Sequence, residues 1–174
     1  MGEIQEFKPE KLVIGVLTSI ARGNYELLPL LVSRFGPVDY QSSLLPFEFT
    51  DYYNDEMGSP ITRFFVAFSR LISPEELSDV KIETNALESV FTEDGKRKIN
   101  IDPGLLSYDR FTLASTKDNG RRIPLKKGIY AEVSLVFVNG EYKALEWTYP
   151  DFASSLYRSI LLEIREIYRR QMKQ

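Results

Sequence analysis

The residues of this chain that could do chemistry are densest in Phe49-Thr50-Asp51-Tyr52-Tyr53-Asn54-Asp55-Glu56-Met57-Gly58. The block carries two tyrosines, three acids, a threonine and an asparagine, with no apolar period of 2 or 3.6. It suits neither a core face nor a tight turn, and is expected to contact a ligand. Glu56 would act as ligand or base, with Tyr52 and Tyr53 stacking or hydrogen-bonding. The chain has no histidine and no cysteine. That removes the commonest catalytic base and the usual zinc ligands, leaving carboxylates, Lys, Arg, Tyr, Ser/Thr and backbone amides. Arg63 follows on an otherwise apolar run, where burial without a carboxylate would be costly. It is expected to pair with an acid, Glu56 first.

Further polar groups recur downstream. Lys81, Thr84, Asn85 and Glu88 follow i, i+3, i+4, i+7 spacing and so share one helical stripe, suited to a pocket edge or to a solvated flank. In Asn100-Ile101-Asp102-Pro103-Gly104, Pro-Gly signals a type II turn, with Asp102 at a strand end as metal or substrate ligand, or as a turn-capping acceptor. Ser115-Thr116-Lys117-Asp118 is similar to the guanine-reading motif of GTPases. Asn119 occupies the aspartate slot, however, and no phosphate loop exists in the chain, which argues against that class. Lys117, Arg121, Arg122, Lys126 and Lys127 form a basic loop able to hold phosphate or carboxylate, with Arg121 or Arg122 as a bidentate fork. Asp151 is expected to cap the last helix. Glu56, Asp102 and Glu132 together could hold Mg²⁺ through oxygen ligands.

The chain has 174 residues, 43% of them hydrophobic and 13% aromatic, so a single α+β domain over 1–174 with a sizeable core is expected. Twenty-two basic against 25 acidic residues give a net charge of −3, which disfavours coating of DNA or an anionic membrane. No apolar run reaches the roughly 18 residues of a membrane helix. The polar first ten residues lack the features of a signal peptide, so a cytoplasmic location is expected.

Periodicity supplies the elements that must position these groups. Lys11–Ser19 reads as a buried strand, and Asn24 as the cap of a helix over Tyr25–Arg34, kinked at Pro29 and stopped by Gly36-Pro37. Val38–Ser42 and Ile61–Leu71 read as strands, the second central. Ser73-Pro74-Glu75-Glu76 is a capping box opening a helix to about Phe91. With a strand at Lys98–Asp102, the order is that of a ferredoxin-like βαββαβ core. Strands at Phe111–Thr116, Ile129–Val138 and Glu141–Trp147 extend it, the last two joined by Asn139-Gly140 as a type I′ hairpin. That register sets Glu132 opposite Trp147. It places Tyr130, Glu132, Ser134 and Trp147 on one face, and Ala131, Val133, Leu135 and Phe137 on a core face. A helix from about Phe152 to Met172 closes the chain.

In combination, Phe49-Thr50-x-Tyr52-Tyr53-x-x-Glu56-Met57-Gly58, Lys81-x-x-Thr84-Asn85-x-x-Glu88, Asn100-x-Asp102-Pro103-Gly104, Ser115-Thr116-Lys117-Asp118, Gly128-Ile129-Tyr130-Ala131-Glu132 and Trp147-Thr148-Tyr149-Pro150-Asp151 resemble the signature blocks of a prokaryotic family. The family is catalogued only as a domain of unknown function, the 4416 family. Many of its members have His-Arg where this chain has Arg121-Arg122. The resemblance implies a shared site and no particular reaction. The expected activity is a small-molecule site for a phosphorylated or nucleotide-like anion, in a ligand-binding protein or in an enzyme, the latter with phosphoryl-transfer type chemistry assisted by Mg²⁺. Glu56, Asp102 and Glu132 would serve as catalytic or metal groups. Tyr52, Tyr53, Arg63, Lys81, Asn85, Lys117, Arg122 and Trp147 would serve as ligand contacts. The rival readings are an RNA- or protein-binding module using the 117–127 loop, and polar blocks that are purely structural.

Overall fold

The apolar run near the N-terminus forms β1 (Glu10–Thr18), buried along its whole length because both of its faces are covered. A computed structural model describes residues 2–20 and 23–173. Helix α1 (Gly23–Phe35) follows, with Pro29 accommodated inside it and Asn24, the expected cap, lying within its first turn. Strand β2 (Val38–Gln41) and the short β3 (Leu45–Pro46) precede α2 (Asn54–Met57), which lies within the Phe49–Gly58 block. Strand β4 (Thr62–Ile72) comes next. The capping box is present as expected: Ser73 opens a 3₁₀ turn over Pro74–Glu76, and Glu76 returns a bond to the Ser73 amide. That turn runs into α3 (Leu77–Val90).

A small hairpin, β5 (Thr92–Glu93) and β6 (Lys96–Arg97), turns at Asp94-Gly95 with positive φ at both residues. Strand β7 spans Ile99–Leu106, longer than expected because Pro103-Gly104 lies inside the strand and makes no turn. Then come β8 (Arg110–Ser115), β9 (Ile123–Pro124), β10 (Tyr130–Val138) and β11 (Glu141–Ala144). The Asn139-Gly140 turn has φ of 53° and 88°, and it pairs Val138 with Glu141 as expected. The terminal helix is divided. Helix α4 (Pro150–Ala153) stops where Ser154 turns extended, and Ser154, not Asp151, caps α5 (Ser155–Gln171) by accepting from the Tyr157 amide.

Among the described residues, nine strands form one antiparallel sheet. Its main path is β11-β10-β8-β7-β1-β4-β2, with β3 added to β4 and β9 to β10. Helices α1 and α3 cover one face, packing Leu27, Leu31, Val80 and Leu87 on Leu12, Ile14, Val16, Phe64 and Val66. Helix α5 covers the other face, packing Tyr157, Leu161 and Ile164 on Val13, Phe65, Phe111 and Leu135. Each such aliphatic or aromatic side chain, fully buried, contributes on the order of 1.5–3 kcal/mol. The alternation expected for β10 fails at one point. A bulge between Val133 and Leu135 switches parity, so Ala131 packs toward α1 and α3 while Leu135 and Phe137 pack toward α5. No helix among the described residues is long and apolar enough to cross a membrane.

Candidate functional site

The main concavity exists because β7 and β8 separate. Their ladder pairs Leu106 with Phe111, Leu105 with Thr112 and Gly104 with Leu113, closing at Ser107, whose amide donates to the Arg110 carbonyl at 3.0 Å. In an antiparallel ladder only every second residue turns its backbone groups toward the partner. Counting from Ser107 and Arg110, these are Leu105, Pro103 and Ile101 on β7, and Thr112 and Ala114 on β8. The next bonded pair after Leu105–Thr112 would thus be Pro103–Ala114. Proline has no N–H to give, and the ladder ends there. Beyond it, α3 takes over from the missing strand. The Ile101 amide donates to Glu88 Oε1 at 2.7 Å, and Lys81 Nζ donates to the Ile101 carbonyl at 2.8 Å. Lys81, Thr84 and Glu88 are therefore buried against the sheet, and the stripe is not a solvated flank.

The gap is a cleft of about 690 Å³, within the range of small-molecule sites. Its β7 bank carries Asp102 and, near the strand start, Arg97. The β8 bank carries Ala114 to Lys117, with Arg122 and Tyr149 beside them. Five cationic side chains (Arg63, Lys81, Arg97, Lys117, Arg122) and four carboxylates (Glu88, Asp102, Glu132, Asp151) line it, together with several aromatic rings.

Arg63 sits at the base. It is buried as expected, but its partners are Asp102 (Nη1–Oδ2, 3.0 Å) and Asp151 (Nη2–Oδ2, 2.9 Å), not Glu56. Four rings, Phe47, Phe65, Phe152 and Tyr157, stand 5.6–5.9 Å from its guanidinium carbon, offering π faces where Nε has no acceptor among the described residues. Burial disfavours its charge, yet the two carboxylates outweigh burial and raise its pKa. The two acids differ. Asp151 is 8% exposed, and burial pushes its carboxyl pKa up despite Arg63 and the Phe152 amide that donates to Oδ1 at 2.9 Å. Asp102 is 26% exposed, faces the cleft, and is held on its other oxygen by Asn100 Nδ2 at 2.9 Å. Asp102 lies mid-strand and not at a strand end.

Glu56 is engaged elsewhere, paired with Arg97 Nε at 2.8 Å, and it does not line the cleft. Arg97 also reaches Glu88 (3.2 Å) and Asn100 Oδ1 (2.8 Å) and stands over the Tyr53 ring at 5.9 Å. It thereby ties the 49–58 block to β7, a role that sequence reading does not single out. Burial raises the Glu88 pKa, with Lys81 and the Ile101 amide pulling the other way. Glu132 is buried and held by Arg122 Nε at 3.0 Å. Each of the three carboxylates expected to share Mg²⁺ therefore has its own arginine, and no metal-holding group of three acids occurs among the described residues.

Arg122 also donates to Ser115 Oγ, the Lys117 carbonyl and Tyr149 Oη at 2.6, 2.7 and 2.9 Å. Lys117 is the cation left open. Among the described residues it pairs with no carboxylate, donating to Tyr52 Oη at 3.1 Å and lying 5.1 Å from that ring. The remaining basic residues are engaged outside the cleft. Lys126 and Lys127 bind Asp79 at 2.8 and 2.9 Å, and Arg121 covers the Trp147 ring at 5.5 Å. Trp147 does not face Glu132, because β11 ends at Ala144. Its Nε1 donates to the Val133 carbonyl, and it stays out of the cleft.

The cleft thus brings together Tyr52, Tyr53, Arg63, Lys81, Asn85, Asp102, Lys117, Arg122 and Glu132, and leaves out Glu56 and Trp147. Sequence reading missed Arg97, and it treated Asp151 as a cap when it is the second partner of Arg63. Its place beside Asp102 depends on β7 and α4 meeting, which no local pattern encodes. Comparison with curated proteins and with solved structures finds no match. The family model described as a domain of unknown function (DUF4416) matches residues 8–168, and the chain belongs to that family.

Proposed function

We propose that the cleft binds a small phosphorylated or nucleotide-like anion. One observation supports this reading: polar blocks distant in sequence line a single concavity in which, among the described residues, Arg63, Arg97 and Arg122 are paired with carboxylates and Lys81 with a buried carbonyl, while Lys117 has only a tyrosine hydroxyl. A cation at the mouth of an aromatic-lined gap is suited to an anion attached to an apolar or planar body. Asp102, the acid most open to the gap beside Arg63, is suited to accept a hydrogen bond from the ligand or to remove a proton from it. The protein is read as cytoplasmic. The order β7-β1-β4-β2, with α1 and α3 on one face, supports reading this half as a ferredoxin-like βαββαβ core, to which β8 to β11 and α5 are added. The RNA-binding reading loses support because Lys126 and Lys127 are paired with Asp79.

The test is a thermal-shift screen of nucleotides, sugar phosphates and divalent ions on the wild type and on Lys117→Ala. A ligand at a hundred times its Kd stabilises the fold by about 2.7 kcal/mol. An anion should raise Tm in the wild type and much less in Lys117→Ala. An equal rise in both would refute the reading.

A further inference from the structure

We propose that the ligand is a nucleotide whose base carries an amidine edge, as in adenine or cytosine, read by the unpaired backbone edge of β8 at Ala114 and Thr116. This rests on the reading of the cleft as an anion site. Backbone alternation turns the Ala114 carbonyl into the gap, where its ladder partner would be the N–H that Pro103 does not possess. Two residues on, where the chain bends beyond β8, the Thr116 N–H belongs to the peptide that follows Ser115, and because Ser115 pairs with Tyr130 on the opposite side, alternation turns that N–H into the gap. Among the described residues it makes no backbone hydrogen bond outside the strands. Both residues line the cleft. In extended chain, the carbonyl of residue i and the amide of residue i+2 form an acceptor–donor pair on one edge.

An exocyclic amine beside an unprotonated ring nitrogen complements that pair: the amine donates to Ala114 and the ring nitrogen accepts from Thr116. A lactam edge, as in hypoxanthine or uracil, presents the reverse order and could match only with the ring turned over. A phosphate held by Lys117, the residue next to Thr116, fixes which way round the ring lies. The Tyr53 ring on the β7 bank and Tyr149 on the β8 bank supply flat apolar surface for a base, which a bare sugar phosphate would leave unused.

The experiment is calorimetric titration of the full chain with AMP, IMP, ribose 5-phosphate and adenosine. AMP should bind about tenfold tighter than IMP and ribose 5-phosphate, the weight of one well-formed hydrogen bond or more. Thr116→Pro removes the donor at a position outside β8 and should bring AMP to the level of IMP. N6,N6-dimethyl-AMP, which lacks the amine donor, should do the same with the unaltered protein, so the inference does not depend on the variant folding. IMP, ribose 5-phosphate or the dimethyl analogue binding as tightly as AMP overturns the base assignment while leaving the anion site standing. Adenosine binding as tightly as AMP overturns the anion site instead. Failure of all four, and of CMP titrated beside them, to bind overturns both.

Discussion

Arg63 on β4 and Asp102 on β7 are joined at 3.0 Å across the intervening strand β1, directly over Gly15. Gly15 pairs with Phe65 on one side and Asp102 on the other, and its missing side chain is the space the guanidinium crosses. A Cβ built there would lie 2.8 Å from Arg63 Nη1 and 3.1 Å from Phe65 Cε1. Arg63 cannot swing aside, because two carboxylates and four rings hold it. Gly15→Ala should therefore cost about 1–3 kcal/mol by overcrowding, measured by urea denaturation. A neutral result would mean that Arg63 is free to move.

Arg63 itself neutralises two acids. Arg63→Met should destabilise by about 3–5 kcal/mol, since it leaves Asp102 and Asp151 uncompensated near the core. Adding Asp151→Asn should recover part of that loss, because the more buried charge is then gone. A double-mutant cycle reads this directly, and additive costs would show that the pair is not coupled.

The β7–β8 ladder stops at Pro103, where the cleft begins. Pro103→Val restores an N–H facing the Ala114 carbonyl and should let the ladder extend by one bonded pair. The new amide should be slow to exchange with deuterium, and the cleft should narrow. An unprotected amide at position 103 would mean that α3, through Lys81 and Glu88, holds the strands apart without help from the proline.

The Glu88 carboxyl pKa is raised by burial, so the native state holds its proton more tightly than the unfolded chain does. Its contribution is then fully present below the unfolded value of 4.5 and is lost as pH rises through the higher folded value. Glu88→Gln removes that loss. The stability of the wild type relative to Glu88→Gln should fall as pH is raised from about 4 upward, by the linkage of proton binding to folding. A relative stability that rises with pH would contradict the assignment.

Local chemistry made much of this fold legible. The capping box at Ser73, the Asn139-Gly140 turn and the apolar run of β1 each depend on neighbouring residues, and each forms as its pattern implies. Pro103-Gly104 reads as a turn in the sequence but lies within β7, because proline serves both turns and interrupted strand edges and only the strand pairing distinguishes them. Arg63 was legible as a buried cation needing an acid, but its partners come from β7 and α4, 39 and 88 residues away. The bulge in β10 likewise arises from pairing with β8 and has no signature in the alternation itself.

Amide chemical-shift mapping tests the placement of the ligand most directly. On titration of isotope-labelled protein with AMP, the largest changes should fall on the amides of Ala114 to Lys117, Asn85 and Asp102, the two banks and roof of the split sheet. Changes centred on Lys126 and Lys127 instead, or no saturable change anywhere, would contradict it.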